Sequence, residues 1–151
     1  SNEAYSSRWI LAALSDFNGQ LQARDIIRFL KFAANVNSKK RTYYDRILMP
    51  TDIRSAVSIC SKEKSNEIKT EYAALKPILE KLEALPQIKK KLPLDPHENP
   101  LTPVEEKLMI QAGYLTRDGQ KLYIPEILRH SLGFQYERGA RPKVLSLMFK
   151  R

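Results

Sequence analysis

The run from Thr102 to Ile124 constrains this chain more than any other stretch, because a helix start, a helix stop and a hairpin turn follow one another in it. Thr102 and Glu105 form a capping box, and Pro103 takes the first helical position, where a missing N–H costs nothing. Gly113 supplies the left-handed residue that ends a helix. Tyr114-Leu115-Thr116 and Lys121-Leu122-Tyr123-Ile124 then flank Asp118-Gly119 with strand-favouring residues, which predicts a β-hairpin.

The remainder predicts helices. Tyr5, Trp9 and Ala13, with Ile10, Leu14 and Phe17 beside them, recur at helical spacing, and Asp16-Phe17-Asn18-Gly19 ends that helix. A second helix is expected over 23–34. Its stripe would be Ile26, Ile27, Leu30, Ala33 and Ala34, with Asp25 at the positive end of the helix dipole, and the first two helices are expected to pair antiparallel. Thr51 is placed to cap a third helix carrying Ile53, Val57 and Cys60. A helical region over 66–85 should kink or restart at Pro77, which lacks an amide donor. Pro125 opens a helix running to Gly133, and Pro142 a last one with Val144, Leu145 and Met148 on its apolar face. Pro93-Leu94-Asp95-Pro96-His97-Glu98-Asn99-Pro100 reads as an extended connector. The expected organisation is a helical lobe over 1–92, the connector over 93–100 and a second lobe over 101–151, in a mainly α fold.

Composition closes several functional classes. With five glycines, two histidines and one cysteine there is no phosphate-binding glycine loop, dinucleotide-binding turn, metalloprotease helix or paired-cysteine metal motif, so no catalytic site is expected. Cys60 falls on an apolar helix face and is expected in the core. Asp95, His97 and Glu98 could ligate a metal only if neighbours in a proline-rich connector converged on one ion, so no metal site is expected. No run of 18 apolar residues occurs, which leaves no spanning helix. The expected setting is soluble and cytoplasmic. Ser1-Asn2, with no Met before it, reads as a tag scar on an excised domain.

Lysine and arginine number 26 against 17 aspartates and glutamates, a formal charge of +9 that suits an anionic partner. Two basic sets stand out. One is Lys39-Lys40-Arg41 with Tyr43, Tyr44 and Arg46, and the other is Arg129, Arg138, Arg141, Lys143, Lys150 and Arg151. Basic residues interleaved with tyrosines clamp phosphates and stack bases, although a solvated loop and tail would carry the same residues. Lys89-Lys90-Lys91 is a third, shorter cluster.

The helix from Pro103 followed by the Asp-Gly hairpin resembles the second half of a winged helix, with that helix in the recognition position and Arg117 and Lys121 on the wing. Glu105 and Glu106 in its first turn would oppose phosphates in a DNA groove. The segment Gly19-Gln20-Leu21-Gln22-Ala23-Arg24-Asp25-Ile26-Ile27-Arg28-Phe29-Leu30 resembles the helix that follows the nucleotide-binding core in P-loop ATPases. Together the two segments resemble the C-terminal helical and winged-helix region of a multidomain bacterial ATPase of the AAA-type or ParA-like kind. That resemblance implies a non-catalytic lid or regulatory module packed on a nucleotide-binding domain, with ATP and magnesium bound there. It implies that Arg24, and less directly Arg28, senses the terminal phosphate. Ala23 stands where such relatives often have proline, and an ion pair with a neighbouring carboxylate is the plainer role for Arg24. The alternatives are a winged-helix nucleic-acid-binding module using Arg117, Lys121, Lys39, Lys40, Arg41, Arg141 and Lys143, and a protein-interaction domain.

Overall fold

The computed structural model describes residues 6–38, 48–140 and 143–148. Among them are seven α-helices: α1 (Ser6–Leu14), α2 (Ala23–Ser38), α3 (Pro50–Glu71), α4 (Lys76–Glu83), α5 (Pro103–Gln111), α6 (Glu126–Leu132) and α7 (Val144–Met148). Four short strands accompany them: β1 (Lys91–Leu92), β2 (Thr116–Asp118), β3 (Lys121–Tyr123) and β4 (Gln135–Tyr136). The protein is mainly α with a small hairpin, as its patterning predicts.

α3 is the spine. Its first half places Ala56, Val57 and Cys60 in a core shared with Ala12, Ala13 and Leu14 of α1, Phe29 and Ala33 of α2, Ile127 of α6 and Val144 of α7. Its last turns place Ile68 in a second core with Ile78, Leu79 and Leu82 of α4, Met109 of α5, Leu122 of β3, and Leu128 and Leu132 of α6. α6 therefore also enters both cores. A buried hydroxyl fastens the two helices where they meet: Ser61 Oγ accepts the Ser131 N–H at 2.9 Å. The stretches on either side of the 93–100 connector share both cores, so the connector does not divide the packing in two.

The helix starts obey local chemistry. α5 carries its capping box, with Thr102 Oγ1 accepting the Glu105 N–H at 3.3 Å and the Glu105 carboxylate accepting the Thr102 N–H at 2.8 Å. α3 begins two residues earlier than expected, with Met49 in place of Thr51 at the N-cap, Pro50 in the first turn and the Asp52 carboxylate accepting the Met49 N–H at 3.3 Å. The helix then runs unbroken to Glu71, and Pro77 lies in the first turn of a new helix, α4.

Two arrangements differ from expectation. α2 packs chiefly on α3, while α1 packs on α7, α3 and α6, so α1 and α2 are not the expected pair. The reason lies in α2, where Phe29 and Ala33 face α3 while Ile27 and Leu30, expected in the stripe, are 66% and 56% exposed. The second difference is a parallel ladder of Lys91 with Gln135 and Leu92 with Tyr136. The hairpin itself pairs Thr116 with Tyr123 and Asp118 with Lys121, and Leu94 bridges its second strand at Leu122.

Gly113 holds φ at +81°, and a Cβ there would sit 2.9 Å from Asp16 Cγ and 3.0 Å from Asn18 Nδ2. The 16–19 turn docks at this point, since the Phe17 N–H donates to the Gly113 carbonyl at 2.8 Å and Asn18 Nδ2 to the Gln111 carbonyl at 3.0 Å. Gly113→Ala is therefore expected to lose about 2 kcal/mol or more, combining left-handed strain with displacement of the turn. Gly119→Ala, also at positive φ but with nothing within 4 Å of the added carbon, should lose about half as much. Urea midpoints of the two variants, at unchanged m, make the comparison.

Candidate functional site

The first turn of α2 sits against α3, and the contact is ionic. Lys64 Nζ donates to Asp25 Oδ2 at 2.9 Å, to Gln22 Oε1 at 2.9 Å and to Glu67 Oε1 at 3.2 Å. Arg28 donates to Glu67 Oε2 at 2.7 Å and lies 3.4 Å from Asp25 Oδ1. Arg24 pairs with Glu67, and its two terminal nitrogens reach the Glu71 carboxylate at 3.3 Å each. The side chains of Asp25, Lys64 and Glu67 are 2%, 7% and 8% exposed, whereas that of Arg24 is 43% exposed. Asp25, expected as a simple dipole partner, is thus a buried ion-pair member. Burial raises the Glu67 carboxyl, but the hydrogen bond from Arg28 and the charge of Lys64 outweigh it and leave the group below the usual carboxylate range. The hydrogen bond to Glu71 holds the Arg24 proton more tightly than usual.

Beyond Arg24 the outward side of α2 is not polar. Ile27, Leu30 and Ala34 follow at helical spacing and are all exposed, with Lys31 exposed beside them. Both sequence candidates on this helix, Arg24 and Arg28, therefore lie in one network, and Arg24 sits at the edge of an uncovered apolar stripe.

The hairpin candidates are arranged differently. Arg117 gives both Nε and a terminal nitrogen to Glu106 Oε1, Lys121 bonds Asp95 Oδ2 at 2.8 Å, and Lys143 bonds Asp118 Oδ2 at 2.6 Å while lying 5.7 Å from the centre of the Tyr123 ring. Glu105, besides capping α5, takes Lys81 Nζ at 2.8 Å. The first-turn carboxylates of α5 thus point at protein cations, not outward at a groove. The exposed face of α5 holds Val104, Lys107, Ile110 and Gln111, of which Val104 is 69% exposed. A cleft of about 500 Å³ lies between α5, the hairpin and the connector, with Asn99, Leu101, Ile110 and Arg117 in its lining. Lys39, Lys40, Arg41, Tyr43, Tyr44, Arg46, Arg141, Lys150 and Arg151 lie outside the described residues.

Among the described residues no group of three or more histidine, cysteine or acidic side chains could hold a metal ion. Asp95 instead bonds Lys121 and caps a 3₁₀ turn by accepting the His97 N–H at 3.0 Å. Cys60 is fully buried, and burial pushes its thiol up to about 11, which leaves it a thiol at neutral pH. No helix among the described residues is long and apolar enough to cross a membrane.

The acids facing Arg24 and Arg28 were not visible in the sequence as a site. Lys64 and Glu67, three apart on α3, signal only a shared helix face. No family model, curated protein or solved structure matches the chain.

Proposed function

We propose that the chain is a non-catalytic lid or regulatory module of a cytoplasmic, bacterial P-loop ATPase, docking the outward face of α2 on the nucleotide-binding domain. ATP and magnesium would bind to that domain, with Arg24 reaching the terminal phosphate. The observation that carries the reading is the exposure of Ile27 and Leu30 on the same helix and side as Arg24. An apolar stripe left uncovered on an otherwise well-packed helix suits a protein partner. The Arg24 guanidinium is held by Gln22, Glu67 and Glu71 with its side chain 43% exposed, so it would meet an anion by exchanging one of these contacts at the edge of the stripe. The winged-helix nucleic-acid alternative has less support, because it asks for ion pairs to be exchanged at Arg117, Lys121 and Lys143, where the lid reading asks for one exchange, at Arg24.

The test is ATP hydrolysis by the full-length ATPase that carries this chain, comparing wild type with Arg24→Ala and Ile27→Asp. Arg24→Ala should lower kcat about tenfold or more, the range of a transition-state phosphate contact. Ile27→Asp should uncouple the module and expose α2 to limited proteolysis. Neither change should disturb the fold, since Ile27 is exposed and Lys64 and Arg28 still neutralise Glu67 without Arg24. Wild-type turnover in both variants would sink the lid reading.

A further inference from the structure

The cations of the hairpin are bound to acids, as is Arg129 over the Tyr136 ring of β4, but three others near the β1–β4 ladder are not. The ladder is closed by the Gln135 N–H on the Lys90 carbonyl at 3.0 Å and the Glu137 N–H on the Leu92 carbonyl at 2.9 Å. It brings the 3₁₀ turn Gln87–Lys89 and the residues after β4 to the two sides of a groove of about 540 Å³, whose lining includes Ile88, Lys91, Gln135, Tyr136 and Arg138. Lys89, Lys91 and Arg138 are exposed and have no carboxylate partner among the described residues. Lys90 adds a fixed charge, its Nζ donating to the Glu83 carbonyl at the end of α4 at 2.8 Å. Glu137 is the one acid in the lining, and Ile88 stands 74% exposed on the rim.

We propose that this groove binds a single strand of nucleic acid, with phosphodiesters against Lys91 and Arg138 of its lining and against Lys89, which stands outside the lining on the same turn as Ile88, and a base against Ile88. The proposal stands apart from the lid reading and on different residues. Several cations spaced along a groove suit a repeating anion better than one phosphate group. The walls are a 3₁₀ turn, strands of two residues each and a loop, too short to supply the helix or β-ribbon that the major groove of a duplex admits. Ile88 offers an aliphatic surface that an unstacked base can bury by apolar contact, without aromatic stacking, and a duplex does not present that face.

The experiment is fluorescence anisotropy of the 151-residue chain with a labelled oligothymidylate of about 15 nucleotides, at about 50 and 200 mM salt. Three phosphate contacts predict a slope of log K on log salt of about −2. The triple change Lys89→Ala, Lys91→Ala and Arg138→Ala should weaken binding at least tenfold and flatten that slope. Lys91→Glu alone should weaken it severalfold, and thermal melting checks that both variants fold. Arg117→Ala with Lys121→Ala should leave affinity within about twofold of wild type, since those cations are engaged elsewhere. The proposal is overturned by no binding at low salt, by a folded triple variant that binds like wild type, or by tighter binding to a duplex of the same length. Binding to phosphatidylserine vesicles without binding to the oligonucleotide would assign the groove to a membrane surface and overturn it equally.

Discussion

Lys64→Met is expected to destabilise the fold by about 3–5 kcal/mol, the usual consequence of removing one partner from a buried ion pair. Among the described residues Lys64 is the only cation within 3 Å of Asp25, whose side chain is 2% exposed; Arg28 lies farther off at 3.4 Å and already serves Glu67. Without the ammonium group Asp25 keeps its burial and loses its close partner. The methionine itself is not the difficulty, because it fills nearly the volume of the lysine stem. Changing Asp25 to leucine together with Lys64→Met should therefore recover most of the loss, since replacing both members of a buried pair by apolar residues is often nearly neutral. Urea unfolding of the two single variants and the double variant forms a cycle with an expected coupling of 2 kcal/mol or more, in the range for residues in direct contact. Independent, additive losses below about 1 kcal/mol would mean that the α2–α3 contact is not held by this pair.

Glu126→Gln should cost about 3 kcal/mol at neutral pH, and the cost should vanish in acid. Glu126 opens α6 with its side chain 4% exposed; it accepts Arg129 Nε at 2.6 Å and a second Arg129 nitrogen at 2.9 Å, lies 3.3 Å from His130 Nε2, and accepts the Tyr136 hydroxyl at 3.2 Å. Burial alone would raise this carboxyl, but the hydrogen bonds from His130 and Arg129 and the charge of Arg129 outweigh it and hold it at about 2, against 4.5 for an unperturbed glutamate. At about 1.4 kcal/mol per pH unit the depression corresponds to about 3 kcal/mol. A carboxyl depressed on folding contributes this stability above the unfolded value of 4.5 and loses it as pH falls toward 2. Wild type and variant should thus differ most in urea midpoint at pH 6–7 and converge between pH 4.5 and 2. A gap that stayed constant across that range would assign the loss to packing instead of charge.

What the sequence made legible was local. The α5 capping box, the left-handed Gly113 and the Asp118-Gly119 turn each depend on residues within a few positions, and each forms as the pattern predicts. The face of α2 was legible only in part: Ala33 of the expected stripe is buried, but Ile27, Leu30 and Ala34 lose the core to Phe29. Only the docking of α3, through Ala56, Val57 and Cys60, decides between them. The β1–β4 ladder was hidden because two-residue strands far apart in the chain leave no periodicity to read. The same holds for the charged groups. Arg24 stands in the first turn of its helix as its position suggested, but its acids come from the far end of α3, and a run of lysines such as 89–91 does not announce which of its members will find a carbonyl or an acid. Sequence shows which residues carry charge, and only the fold shows which charges are left over.

Because α3 and α6 each belong to both cores, neither core can be lost while the other stays whole. Melting the end that holds Leu79 and Met109 would strip Leu128 and Leu132 of their neighbours and loosen the helix that carries Ile127 into the other end. The described residues are consequently expected to melt in one transition, the two ends being tied by two helices and the Ser61–Ser131 hydroxyl contact.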